Sequence, residues 1–276
     1  ALAARHKDDP GLSINIAPHA PYSVTAEALQ ASMRLAEELD TTWQIHLSET
    51  EEERQNAIKE FGCSPVEYLA KLGCLNERTI AVHCVALSDR DIGLLAESGA
   101  SVVYCPVSNM RLGCGASPVV KLLKAGINVA LGTDGAASAC SLSMFEQMRT
   151  AGLIAKGFSQ DPTELTVNQI IRMATINGAN ALKLHCDVGS LAVGKLADLA
   201  VIDMSQLVTM PVLDVLSNVI YAVEAQCVHQ VWVSGSLVAN IQQEKLLRPD
   251  RGKLLTKSNI MSWQNRVCEI LRDDFN

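Results

Sequence analysis

Four polar signatures each follow an apolar, strand-like run: His19 in APHAPYS, His46 with Glu49 in QIHLSET, His83 in AVHCV, and Asp134 in ALGTDGAAS. Neutral imidazoles and carboxylates are ligands that a zinc-type ion accepts. Strand ends are where barrel enzymes collect their chemistry. Histidines and an aspartate gathered there, with a glutamate just beyond one histidine, point to hydrolysis assisted by a metal ion.

Each residue also has a plainer explanation. His46 follows Trp43-Gln44-Ile45 and so ends a strand. Glu49 then stands at the mouth of the site, placed to pass protons between a water and a leaving group. A packed core histidine and the acidic run Glu51-Glu52-Glu53 account for the same residues. Asp134, within Gly132-Thr133-Asp134-Gly135, is either a carboxylate ligand or a turn residue. His83 is either a hydrogen-bond donor to a reacting oxygen or a core histidine. His19, between Pro18 and Pro21, contacts a substrate or packs a loop. Ser138 is a further candidate for substrate contact, and Cys105-Pro106-Val107-Ser108-Asn109 reads as a segment that shapes the pocket. No single residue decides the matter. Matching chemistry at the same end of separate βα units favours the joint functional reading.

Holding these residues together requires a parallel sheet. From Ser13 to Leu131 a strand–loop–helix unit repeats, with strands expected at 13–17, 43–47, 79–82, 101–104 and 128–131. Their consecutive apolar positions suit strands buried on both faces. Ser64-Pro65-Val66-Glu67 is a capping box with proline at the first helical position, and Gly73 ends that helix. Ser88-Asp89-Arg90-Asp91 opens the next and Gly99 stops it; Ser117-Pro118 opens a third, closed by Gly126. A first helix over 25–39 carries Leu29, Met33 and Ala36 on one stripe.

Beyond Asp134, helices are expected at 142–156 and 166–184. Residues 188–203 then turn Gly-punctuated and β-like. Short strands follow at 219–223, 228–233 and 237–239, with Ser234-Gly235 as a hairpin turn and a last helix at 258–272. The expected fold is α/β: the C-terminal part, about five βα units, of a metal-dependent hydrolase TIM barrel with eight strands when closed, plus a small β-sandwich appendage. The expected domains are 1–185 for the barrel portion, 186–250 for the sandwich segment and 251–276 for a C-terminal helix. The missing strands would precede Ala1, so the chain reads as the C-terminal portion of a longer enzyme.

Composition narrows the function classes. The chain has 276 residues, 48% hydrophobic, which is enough for a sizeable core. A formal charge of −7 without any basic stripe argues against nucleic acid or an anionic membrane as partner. No apolar run approaches the roughly 20 residues that span a bilayer, and the opening ALAARHKDDPG has no signal-peptide apolar core. Nine cysteines, an odd number without CxxC spacing, read as reduced thiols in a cytoplasmic protein.

With those residues in hand, the chain resembles the amidohydrolase superfamily. It is most similar to the 5-methylthioadenosine/S-adenosylhomocysteine deaminase group and the neighbouring chlorohydrolase-type enzymes. The matching stretches are IAPHAPYSV, IHLSETEEE, IAVHCVAL, VVYCPVSNMRL, VALGTDGAAS, MATINGANAL and GSLAVGKLADLAVID. The resemblance implies that His46 and Asp134 are metal ligands. It implies that Glu49 shuttles protons and touches a purine ring, that His83 orients the attacking water, and that His19 contacts a nucleoside. It also implies one divalent metal, zinc first with iron or nickel as alternatives, and a small purine nucleoside as partner; a homodimer is a further expectation that no particular residue carries. The His-x-His that supplies the family's first two ligands has no counterpart here, and Ala139-Cys140-Ser141 stands where more polar sequence is expected. The implied reaction is hydrolytic deamination of 5′-methylthioadenosine or S-adenosylhomocysteine. Two other readings remain: a deaminase or chlorohydrolase acting on guanine, 8-oxoguanine or an s-triazine, and a non-catalytic fragment lacking half of its metal site.

Overall fold

The computed structural model describes residues 12–240 and 245–246. The chain divides into two compact units, Ala1–Gly189 and Ser190–Asn276. The first unit is built on a four-stranded parallel sheet: β1 (Trp43–Leu47), β2 (Thr79–His83), β3 (Ser101–Tyr104) and β4 (Val129–Leu131), in that order. Trp43 pairs with Thr79 and Leu47 with His83; Ile80 pairs with Ser101; Tyr104 pairs with Leu131. Every residue of β2 is buried, as a central parallel strand covered on both faces requires.

Helices α1 (Ala26–Glu38), α2 (Glu51–Phe61), α3 (Pro65–Lys71), α4 (Asp89–Ser98), α5 (Pro106–Arg111), α6 (Val119–Lys124), α7 (Ala136–Ala139), α8 (Met144–Ser159), α9 (Val167–Ala174) and α10 (Ile176–Ala181) join and cover the strands. Their ends follow local chemistry. Thr25 caps α1, which buries Leu29, Met33 and Ala36. Capping boxes open α3 at Ser64/Glu67, α4 at Ser88/Asp91 and α9 at Thr166/Gln169, and Gly99 ends α4 in the left-handed conformation.

One carboxylate ties two of these helix starts together. Asp91 is fully buried and accepts the Ser88 N–H at 2.8 Å, the Ser88 hydroxyl at 2.7 Å and the Ser64 hydroxyl from the neighbouring cap. A buried acceptor with three donors is costly to remove, because the buried Ser64 hydroxyl is then left unpaired and the cap at Ser88 is lost.

The first expected strand, 13–17, is reduced to a single parallel bridge between Ile16 and Trp43, so four strands stand where five were expected. Ile16 exchanges bonds with Thr42 and Gln44, but Pro18 has no N–H to continue the ladder, and the His46 N–H goes instead to the His19 carbonyl. The expected helix over 166–184 is broken at Thr175 (φ −132°, ψ −99°). Its hydroxyl bonds back to the Ile171 carbonyl at 2.7 Å, a competitor to the helical ladder. The break docks α10 on the sheet edge: Asn177 Nδ2 donates to Val129 O at 2.8 Å and Asn128 Nδ2 to Asn177 O at 3.0 Å.

The second unit holds an antiparallel sheet ordered β5 (Leu199–Ile202), β6 (Val228–Val233), β7 (Ser236–Asn240) and β8 (Lys245–Leu246). Ser234 and Gly235, at φ 49° and 76°, turn the hairpin between β6 and β7 as expected. Within the β-like stretch 188–203, only β5 forms a strand. The stretch 219–223, expected as a strand, lies largely in helix α11 (Val215–Tyr221). Asp214 accepts the Ser217 N–H at 2.8 Å and starts that helix, outweighing the β preference of Val219-Ile220-Tyr221. The described residues of this unit contain one sheet layer where a sandwich was expected. The expected helix at 258–272 lies outside the described residues.

Replacing Asp91 with alanine leaves the buried Ser64 hydroxyl unsatisfied and removes both contacts to Ser88. The expected cost is about 2–4 kcal/mol, seen in thermal unfolding as roughly 2–4 °C of melting temperature per kcal/mol. A loss below about 1 kcal/mol would contradict the bridging role.

Candidate metal centre

His46, His83 and Asp134 come together at the C-terminal ends of β1, β2 and β4. One ligand atom from each lies within 4.8 Å of the others. The ladder brings them there: Leu47 is paired with His83, so the two histidines leave adjacent strands at nearly the same level. Their rings stack with centroids 5.4 Å apart and 22° between planes. Asp134 arrives through Gly132, where a Cβ would stand 2.7 Å from Val103 Cγ1; only glycine lets β4 approach β3 so closely.

The turns that aim these groups are unusual for side-chain-bearing residues. Ser48, His83, Cys84 and Asp134 all have φ between 50° and 74°. Non-glycine residues held there cost on the order of 1–3 kcal/mol each and persist where the surroundings determine them. Here the determinants are visible. Cys84 N–H donates to Leu47 O at 3.1 Å, and Val85 and Ala86 N–H both reach Ser48 O.

Each group is held from behind. His46 donates from Nδ1 to the His19 carbonyl at 2.7 Å, which leaves the Nε2 lone pair facing the centre. Asp134 accepts the Ser108 hydroxyl on Oδ2 and the Gly135 N–H on Oδ1, both at 2.6 Å. His83 Nδ1 lies 3.1 Å from Asn109 Nδ2. Burial is the largest influence on two of these groups. It pushes the His83 imidazolium pKa down, only partly offset by the Glu49 and Asp134 carboxylates. Burial also works to raise Asp134, but the Ser108 and Gly135 bonds and both imidazoles outweigh it, leaving Asp134 below the usual carboxylate range.

Glu49 lies beside this cluster. Its Oε2 is 3.7 Å from His83 Nε2, and its Oε1 accepts the Cys114 thiol at 3.5 Å. Burial, with Glu49 next, pushes that thiol up to about 11, so it is a protonated donor at neutral pH. The acidic run after Glu49 is not simply a solvated face. Glu51 pairs with Arg54 at the surface at 2.7 Å, while Glu53 turns inward and accepts the Glu49 N–H at 2.6 Å and the Ser48 N–H at 3.0 Å. Burial raises the Glu53 carboxyl against those two bonds.

His19 adjoins the cluster, its ring centroid 5.1 Å from that of His46, with its Nδ1 2.7 Å from Ser23 Oγ. Ser138 sits in α7, where the Ala137 and Ser138 carbonyls accept from Arg111 and hold its backbone in place. Ser108, Asn109, Cys114 and Glu53 were not identified individually from the sequence. The motif CPVSN was read only as shaping the pocket, although Ser108 and Asn109 within it touch Asp134 and His83 directly.

The donor set suits a divalent ion of the zinc type: the His46 imidazole, its tautomer fixed by a backbone carbonyl, and the Asp134 carboxylate, with the His83 ring beside them. This cluster stands at the strand ends of a parallel α/β sheet. The chain belongs to the amidohydrolase family, whose profile matches residues 2–238. It is 43% identical over 266 residues to a 5-methylthioadenosine/S-adenosylhomocysteine deaminase from Teredinibacter turnerae, covering 96% of this chain and 59% of that protein. A 5′-deoxyadenosine deaminase from Methanothermobacter thermautotrophicus is 41% identical over 83% of this chain and 53% of its own length. Among solved structures, an adenosine deaminase from Xanthomonas campestris with bound zinc matches with a TM-score of 0.89 at 38% identity, over 97% of this chain and 60% of that one. The chain thus spans somewhat over half the length of the relatives it matches.

His46→Ala removes the lone pair that the His19 carbonyl presents to the centre. Elemental analysis of the purified variant is expected to show at least a tenfold loss of bound divalent metal, of the order seen when zinc sites lose supporting groups. Unchanged metal content would remove His46 from the ligand set.

Proposed function

We propose that the protein containing this chain hydrolyses the exocyclic amine of an adenine nucleoside, with 5′-methylthioadenosine and S-adenosylhomocysteine as its substrates. The observation that carries this reading is the convergence of His46, His83 and Asp134 within 4.8 Å, with Glu49 beside them. The choice of an adenine nucleoside is supported by the relatives named above, whose printed activities are deaminations of such compounds. We also read the parallel sheet as part of a (β/α)₈ barrel and the antiparallel sheet as part of a β-sandwich. The described cysteines are all free, as a reducing, cytoplasmic setting requires. No helix among the described residues is long and apolar enough to cross a membrane.

In this reading His46 Nε2 and the Asp134 carboxylate hold a divalent ion, zinc first. The ion supplies Lewis-acid activation of water, bringing its pKa from that of bulk water to about 7. The chain's own residues do the rest. Asp134 and His83 orient the attacking oxygen, His83 as a hydrogen-bond donor. Glu49 takes a proton from the water at Oε2 and delivers it to the purine ring nitrogen next to the amine carbon. The C–O bond forms at C6 as the ring nitrogen gains the proton. Glu49 then takes the remaining proton from the new C6 hydroxyl and passes it to the amine, the C–N bond breaks as the C6 carbonyl forms, and ammonia leaves with an inosine-type product. Water and one C–N bond are consumed; no oxidant or reductant is needed. Glu53 holds Glu49 to this task through the backbone N–H that it accepts. His19, beside His46, contacts the nucleoside.

Glu49→Gln keeps the shape of the shuttle and removes its basicity. Bound metal is expected to stay at the wild-type level while kcat falls by about 10²–10⁴-fold. Retained turnover would take Glu49 out of the mechanism. Assaying ammonia or chloride release from 5′-methylthioadenosine, S-adenosylhomocysteine, guanine, 8-oxoguanine and a chlorinated triazine tests the substrate class. 5′-methylthioadenosine is expected to be preferred, and a rate on it far below that on guanine would defeat the assignment.

A further inference from the structure

Adjacent residues of α5 support both sides of the centre. Ser108 binds Asp134, and Asn109, fully buried, meets His83. His83 is 1% exposed, so its ring has few ways to satisfy its nitrogens: Nδ1 faces Asn109 Nδ2 at 3.1 Å, and Nε2 lies 3.7 Å from Glu49 Oε2. An amide nitrogen carries hydrogens and no free lone pair, so Nδ1 must accept from it. The one ring proton of an uncharged imidazole then sits on Nε2, which has no lone pair left for an ion. His46 is in the opposite state, since the His19 carbonyl takes its Nδ1 proton. Two stacked histidines thus differ in tautomer: one presents a lone pair and the other a hydrogen. The Asn109 side chain also hydrogen-bonds Cys114, whose thiol reaches Glu49 Oε1, so His83, Asn109, Cys114 and Glu49 form a closed ring of contacts. Asn109 Oδ1 has no partner in this ring. The reversed amide would set Oδ1 against an Nδ1–H and free His83 Nε2 as a third protein ligand.

We propose that Asn109 is a positioning residue that fixes the His83 ring proton on Nε2, making His83 a hydrogen-bond donor to the reacting oxygen and withholding it from the metal. The inference rests on the hydrolytic reading above for the identity of that oxygen. The tautomer itself is measurable without any substrate.

The experiment is nitrogen NMR of the metal-loaded protein labelled with ¹⁵N in its histidine rings, with the His83 signals assigned by their loss in His83→Gln. The expected wild-type result is a protonated Nε2 and an unprotonated Nδ1. Asn109→Asp, which has the same shape but offers only lone pairs, is expected to put a proton on Nδ1. It is also expected to lower kcat by about 10²–10³-fold, with little change in KM or in metal bound per chain. A wild-type His83 protonated on Nδ1 overturns the proposal. So does an Asn109→Asp variant that keeps the wild-type tautomer and turnover. If Asn109→Asp does not fold, the wild-type spectrum still decides. A protein with His83 protonated on Nε2 that deaminates no nucleoside would sink the proposed activity and leave this inference standing.

Discussion

The parallel register of β1, β2 and β3 is the constraint on which the rest depends. β2 is buried along its whole length, so each of its backbone groups must find a partner in a neighbouring strand. That need fixes Leu47 opposite His83 and Val82 opposite Val103. Side chains alternate faces along a strand, so pairing alone sets His46, opposite Val82, and His83, opposite Leu47, on different faces, and the left-handed backbone at His83 turns its ring toward His46. The centre therefore depends both on core pairing, which sets the level at which the polar residues emerge, and on the left-handed turn that ends β2.

The ladder alone leaves each emerging side chain free to swing, and the chain removes that freedom with groups from distant sequence. The His19 carbonyl orients His46, α5 reaches across to His83 and Asp134, and Glu53 binds the backbone on which Glu49 sits. These supports are mostly neutral donors and acceptors, and the carboxylates they contact are partly buried. In such surroundings each bond counts for more than it would in water. It is this arrangement that keeps Asp134 below the usual carboxylate range despite its desolvation.

Much of this was legible from local chemistry. Strand ends carrying His46, His83 and Asp134 could be read because short apolar runs ended in polar residues, and helix starts because Ser64, Ser88 and Thr166 each have a partner three residues on. The failures share a cause: a non-local or competing bond decided the outcome. Pro18 looked harmless until its missing N–H met the ladder. Thr175 looked like ordinary helix, yet its hydroxyl and the amides of Asn128 and Asn177 favoured a break. The apolar run at 219–223 read as strand because its β-branched residues outvoted Asp214, whose cap wins in the structure. Ser108 and Asn109 were hidden for the same reason. Their partners are about 26 residues away, and no periodicity reports such a contact.

The left-handed turns at Ser48, His83 and Asp134 have a consequence for how this molecule can be improved. Glycine at such positions relieves backbone strain, so a search for heat tolerance alone would be drawn to them. At two of the three, glycine also deletes a member of the His46–His83–Asp134 cluster. At Ser48 it would loosen the hinge on which Glu49 hangs. Robustness and the integrity of the cluster are thus set against each other at the ends of three strands, and hardening the scaffold without disturbing the cluster has to begin elsewhere, in helix caps and surface loops remote from the ladder.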